Sequence, residues 1–163
     1  MNLIKSTLFI LMLASLSAQA QDSSKVEFEN LDGKLVKLSD YKGKWVIVNY
    51  WATWCPPCLV EMPELSMFHE EHKDKDAIVL GVNYESISKK MVKGFLEEQM
   101  IEFSVVQEKG GPNGRSTSFG PLKGLPTTYM ISPTGQVVAT RVGMVNSKML
   151  EGFINKYNQK AKK

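Results

Sequence analysis

Cysteine and histidine are scarce in this sequence. Its 163 residues include only two cysteines and two histidines. A chain of this length buries about 68–70% of its unfolded surface, so it can build a core without a disulfide or metal framework. Two cysteines are also too few for the disulfide scaffold of a small secreted domain. The sequence therefore predicts one globular domain in which the two cysteines serve another purpose.

An excess of charge of one sign is also missing. The formal net charge is +3, and no dense basic cluster alternates with aromatic residues. Proteins that bind nucleic acid concentrate lysine and arginine on one face. We therefore expect no nucleic acid partner.

The apolar run near the N-terminus is too short to span a membrane. Residues Leu8–Ala14 are well short of the roughly 18 that a spanning helix needs. Lys5 precedes this run and Ala18-Gln19-Ala20 follows it, as in a signal peptide with a small-x-small cleavage site. We predict a cleaved signal peptide over residues 1–20, with an uncleaved N-terminal anchor as the alternative. The mature chain would then work in the periplasm or an equivalent extracytoplasmic space, where disulfides persist.

The order of the predicted elements is that of an α/β domain with a partly parallel sheet. Apolar patterns predict an N-terminal hairpin at residues 26–29 and 34–38. Five further strands are predicted at residues 45–51, 77–82, 103–106, 127–132 and 136–142. Apolar residues at helical spacing predict three helices. They are Leu59, Met62, Leu65 and Phe68 in the first helix, Val92, Phe95, Leu96 and Met100 in the second, and Met149, Leu150, Phe153, Ile154 and Tyr157 in the third. We interpret residues 108–120, rich in glycine, proline and serine, as a surface loop with room for one helical turn.

The two cysteines form the motif Cys55-Pro56-Pro57-Cys58 between the first buried strand and the first long helix. A helix N-terminus favours the thiolate form of Cys55, which is the attacking species in disulfide exchange. Cys58, one turn later, can resolve a mixed disulfide. Neither proline has an N–H to offer the Cys55 sulfur, so we expect the Cys58 N–H and the helix field to stabilise the thiolate. Weak stabilisation of the reduced form makes a weak oxidant.

A close cysteine pair is also compatible with a zinc site, a copper site or a structural disulfide. A zinc site usually has four ligands, and only His69 and His72, on a helix face predicted to be solvated, remain to complete one. Two thiolates alone could bind Cu(I). A purely structural disulfide would close a very small loop and gain little entropy. We expect no metal and no other cofactor.

The sequence Trp51-Ala52-Thr53-Trp54-Cys55-Pro56-Pro57-Cys58 after an apolar strand resembles the thioredoxin superfamily. It is most similar to the TlpA/ResA-type extracytoplasmic thiol-disulfide oxidoreductases, and the resemblance covers nearly all of the mature chain. Three further segments carry it: Asp32–Lys44, Glu61-Met62-Pro63, and Gly124-Leu125-Pro126-Thr127-Thr128. The resemblance implies a thioredoxin-like domain over residues 21–163, with a central mixed sheet flanked by helices and an N-terminal β-hairpin extension.

The resemblance also implies roles for single residues. Glu61 is expected to exchange protons with the neighbouring thiols, although its position also suits a solvated helix acid. Asn49 replaces the buried aspartate of cytoplasmic thioredoxins and cannot titrate. Pro126 would be the superfamily's cis-proline, placing the Leu125 backbone where an extended substrate can pair with it. Trp54 would shield the disulfide and contact the substrate.

The expected function is reduction of protein disulfides by a monomer that a membrane thiol reductase of the CcdA/DsbD type keeps reduced. Cytochrome c maturation is the family's best-known use, but Thr127 stands where the dedicated maturation proteins carry an acid. The alternatives are a disulfide oxidant or isomerase, and a Cu(I)-binding module resembling a metallochaperone.

Overall fold

The computed structural model describes residues 21–161. The predicted signal peptide, residues 1–20, lies outside the described residues. No helix among the described residues is long and apolar enough to cross a membrane.

Residues 21–161 contain ten strands and three α-helices. The strands are β1 (Gln21–Asp22), β2 (Glu27–Asn30), β3 (Leu35–Lys37), β4 (Trp45–Trp51), β5 (Ala77–Asn83), β6 (Ser104–Glu108), β7 (Ser116–Thr117), β8 (Gly120–Pro121), β9 (Thr127–Ile131) and β10 (Gln136–Val142). The helices are α1 (Pro56–His72), α2 (Lys89–Glu98) and α3 (Ser147–Ala161), and a short 3-10 helix covers Leu38–Tyr41.

Eight strands form one mixed sheet in the order β1-β10-β9-β4-β5-β6-β2-β3. Strands β4, β5 and β6 are parallel, and β9 pairs antiparallel with β4. Every residue of β4 and β5 is buried, as expected for apolar strands covered on both faces. The carboxyl ends of β4 and β5 lie side by side, since Trp51 pairs with Asn83. Functional groups of such sheets gather at this edge.

The two faces of β4 support different layers. Trp45, Ile47 and Trp51 pack with buried residues of all three helices. Val46, Val48 and Tyr50 pack on the other face, in a cluster that includes Phe119 and Leu122 of the β6–β9 connection and residues of the N-terminal segment. The predicted mixed α/β sheet flanked by helices is confirmed.

Three local predictions were wrong. Met100 is 81% exposed with a φ of 53°, because α2 ends at Glu98 and the chain turns there. His69 is buried rather than solvated, because α1 packs against β5 there, and its Nδ1 accepts a hydrogen bond of 3.1 Å from the Val79 N–H. Residues 108–120 contain no helical turn; the β7–β8 hairpin begins there instead.

Candidate active site

The two cysteines form a disulfide at the start of α1. Cys55 is the N-cap residue, with extended backbone angles, and its Cα lies 5.3 Å from that of Cys58. Cys55 is 3% exposed and Cys58 is fully buried. The predicted pairing is therefore present, and the bulk of the disulfide is covered by protein.

The first turn of α1 offers few free donors to the Cys55 sulfur. Pro56 and Pro57 occupy the first two helical positions, where a missing N–H costs no intrahelical bond. The N–H groups of Cys58 and Leu59 both donate to the Cys55 carbonyl oxygen, at 3.0 and 3.2 Å. In the disulfide form, the Cys58 N–H expected to face the sulfur is thus engaged by the backbone.

The predicted substrate-contacting residues lie around the disulfide. Trp54 is 67% exposed, whereas Pro126 is buried and follows a cis peptide bond from Leu125. Leu125 packs against the cluster that contains both cysteines. Trp54 and Leu125 also line one cavity, of about 520 Å³. The structure therefore places Trp54 and Leu125 beside the disulfide, with Pro126 directly after Leu125 in the chain. The roles of all three in substrate binding stay predictions.

Glu61 is a buried acid, 2% exposed, on the same helix as the cysteines. Its Oε1 accepts from Asn49 Nδ2 and its Oε2 from the Val145 N–H, both at 2.8 Å. Burial raises the pKa of Glu61 from an ordinary 4.5 to about 7, although these two hydrogen bonds partly oppose the rise. A carboxyl group with this pKa can give or take a proton at neutral pH. This burial excludes the alternative of a solvated helix acid.

Asn49 links Glu61 to the neighbouring strand. Its Nδ2 also donates to Thr128 Oγ1 at 3.0 Å, while its Oδ1 has no hydrogen-bond partner. Rotating this amide by 180° would present Oδ1 as an acceptor for a protonated Glu61. The neutral amide therefore suits both protonation states, whereas an aspartate here would place two carboxylates in contact.

Glu85 is a buried acid beside the active-site segment that the sequence motifs did not reveal. Its carboxylate accepts from the Thr53 N–H at 2.8 Å, from Thr53 Oγ1 at 3.0 Å and from Asn83 Nδ2 at 2.7 Å. Glu85 thus fixes the segment that precedes Cys55 onto the end of β5. Its place just after a buried strand, at the sheet edge that also holds the cysteines, was the available signal.

The two histidines of the zinc alternative lie at the other end of α1 from the cysteines. Within residues 21–161, the one group of three side chains able to hold a metal is Glu71, His72 and Glu151, and it contains no cysteine. His69 is engaged by the Val79 N–H. Neither histidine therefore completes a zinc site with the cysteine pair.

Comparison with known proteins agrees with this geometry. The family model described as AhpC/TSA family matches residues 18–140. Thiol-disulfide oxidoreductase ResA of Oceanobacillus iheyensis is 35% identical over 127 residues, which are 78% of this chain and 64%, under two thirds, of that protein. ResA of Bacillus subtilis is 31% identical over 138 residues, 85% of this chain and 75% of that protein.

The fold is shared with a solved structure. A thiol:disulfide interchange protein of the thioredoxin family from Chlorobium tepidum superposes with a TM-score of 0.72 at 24% identity, covering 86% of this chain and 97% of that one. This likeness confirms the predicted thioredoxin fold. The chain therefore belongs to the AhpC/TSA family, as a thiol-disulfide oxidoreductase similar to ResA.

Proposed function

We propose that this oxidoreductase is an extracytoplasmic reductant of protein disulfides. The Cys55 thiolate attacks one sulfur of a substrate disulfide, which forms a mixed disulfide and releases the other sulfur as a thiolate. Cys58 then attacks the Cys55 sulfur, so that the Cys55–Cys58 disulfide forms and the second substrate thiolate leaves. Two electrons pass to the substrate, and its thiolates take up two protons.

The direction of electron flow is proposed from the first turn of α1. Two prolines remove two backbone donors there, and the Cys58 N–H is bound to the Cys55 carbonyl. Strong oxidants of this chemistry stabilise their reduced form through a low cysteine pKa. A first turn with few donors supports a less stabilised thiolate and therefore a reducing couple.

We propose that Glu61 exchanges protons with the cysteines during the reaction. It lies three residues after Cys58 on α1, and its pKa of about 7 allows both protonation states near neutrality. When Cys58 must lose its proton to resolve the mixed disulfide, a buried carboxylate can accept it.

The compartment and the partners are proposed from the sequence. The signal-peptide pattern of residues 1–20 and the resemblance to extracytoplasmic oxidoreductases support export to the periplasm or an equivalent space. A substrate reductant there needs electrons from across the membrane, so a thiol reductase of the CcdA/DsbD type is the proposed donor. Apocytochrome c is one proposed substrate, and the chain is proposed to act as a monomer.

The proline pair gives a direct test. We expect the pKa of Cys55 in the reduced protein not to lie far below thioredoxin's value of about 7. Pro57→Ala restores one N–H at the start of α1 and should lower the Cys55 pKa by about one pH unit. The pKa is measured from the pH dependence of iodoacetamide alkylation.

Pro63→Ala is the matched control, because it restores an N–H in the same helix but beyond the first turn. Pro63→Ala should leave the pKa of Cys55 unchanged. A wild-type pKa near DsbA's value of about 3.5, or no response to Pro57→Ala, would contradict the proposed direction.

A further inference from the structure

A cavity of about 520 Å³ opens beside the disulfide, between the active-site loop and the connection from β6 to β9. Trp54, which precedes Cys55, and Leu125, which packs against the cysteines, line this cavity. Arg115 and Lys123 line it as well. This volume is within the range of ligand-binding clefts. The cavity can therefore hold several atoms of a substrate beyond its sulfurs.

The wall that carries Arg115 is tied to the core by side chains. Glu108 accepts from Tyr50 Oη at 2.5 Å, from the Ser118 N–H at 2.9 Å and from Ser118 Oγ at 2.6 Å. Tyr84 Oη donates to the Ser116 carbonyl. Both tyrosines are themselves buried. These bonds hold the wall at a fixed place relative to the disulfide, as a specificity surface requires.

The side chains that line the cavity present more available positive charge than negative charge. Arg115 and Lys123 are exposed, and neither takes part in an ion pair within residues 21–161. Glu85 is the one acid of the lining, but it is 8% exposed and its two oxygens are occupied by Thr53 and Asn83. A ligand in the cavity therefore meets two available cations and an acid that is already hydrogen-bonded.

We propose that this cavity selects substrates in which acidic residues flank the reactive cysteine. The substrate segment lies against Trp54 and Leu125 while its carboxylates approach Arg115 and Lys123. This inference rests on the thiol-disulfide exchange described above but not on its direction, because the same segment is contacted when the substrate is a disulfide or a dithiol.

The test uses two synthetic peptides, each with one internal disulfide, that differ only in carrying Asp or Asn on either side of the cysteines. The reduced protein should react with the Asp peptide about fivefold faster than with the Asn peptide at low salt, the order expected for two exposed ion pairs. The ratio should shrink as salt screens the charges. Arg115→Gln/Lys123→Gln should bring the ratio to about one.

The matched control is Lys156→Gln/Lys160→Gln, which removes the same charge from exposed positions of α3 outside the cavity. It should keep the wild-type ratio. Equal rates for both wild-type peptides, or a ratio that survives Arg115→Gln/Lys123→Gln, would overturn the inference. The ratio is also measured with oxidised protein and dithiol peptides. If the protein proves to be an oxidant, the proposed direction fails, but this second measurement still tests the cavity.

Discussion

Cys55→Ser is expected to abolish disulfide exchange, whereas Cys58→Ser is expected to stop it halfway with substrate covalently attached. Removing the nucleophile should lower the rate of the first step by at least about a thousandfold, as for other covalent catalysts. Cys58 acts second, so its loss leaves Cys55 able to attack. Mass spectrometry of each variant with a disulfide peptide should show a mixed disulfide for Cys58→Ser alone.

The two variants control for each other, because each lacks the Cys55–Cys58 bond that closes the first turn of α1. Circular dichroism should show that both are folded to the same extent. Accumulation of the mixed disulfide on Cys55→Ser instead would reverse the assigned roles of nucleophile and resolver.

Glu61→Gln is expected to change the pH dependence of both stability and thiol reactivity. Because the pKa of Glu61 is raised in the folded protein from 4.5 to about 7, the folded state binds the proton more tightly than the unfolded state. Its stabilising contribution is complete below pH 4.5 and is lost as the pH rises to about 7, a difference of about 3 kcal/mol in the free energy of unfolding. Glu61→Gln should remove this part of the slope.

Urea unfolding of the oxidised protein at several pH values measures this effect. Glu71→Gln, an exposed acid on the same helix, is the matched control and should retain the Glu61 contribution. In the reduced protein, Glu61→Gln should also change the alkylation profile of the cysteines, because the ionisation of Glu61 no longer affects the neighbouring thiols. Identical stability slopes and identical alkylation profiles in wild type and Glu61→Gln would exclude the proton-exchange role.

Local patterns were sufficient to predict the elements that hold the disulfide. The continuous apolar run gave β4 its observed bounds, Trp45–Trp51, because a strand buried on both faces excludes polar residues at nearly every position. The motif that follows predicted the Cys55–Cys58 disulfide at the start of α1. These features depend on residues close together in the sequence.

The partners of buried polar groups could not be predicted in this way. Glu85 meets Thr53 across 32 positions of sequence, and Glu61 meets the Val145 N–H across 84. Such contacts depend on how the sheet brings distant loops together. His69 shows the same limit, since the packing of α1 on β5 buries this histidine, although charged residues surround it in the sequence, and the Val79 N–H of that strand bonds to its ring.

The surface beside the disulfide also depends on tertiary structure. A loop rich in glycine and serine carried no sign that Ser118 would bond to Glu108, or that Arg115 would line a cavity with Trp54. Glu108 also accepts a hydrogen bond from Tyr50, which joins the loop to the core. Burial and the nearby Glu108 carboxylate raise the pKa of Tyr50. The loop is therefore held in place by core residues rather than by its own composition.

The reduction potential of the Cys55–Cys58 couple tests the central claim most directly. Equilibrating the protein with defined ratios of reduced and oxidised dithiothreitol, and counting free thiols by mass spectrometry after alkylation, gives this potential. A reductant with a first turn poor in donors should have a potential near thioredoxin's value of about −270 mV. A potential near DsbA's value of about −120 mV would contradict the proposed direction and make the protein an oxidant.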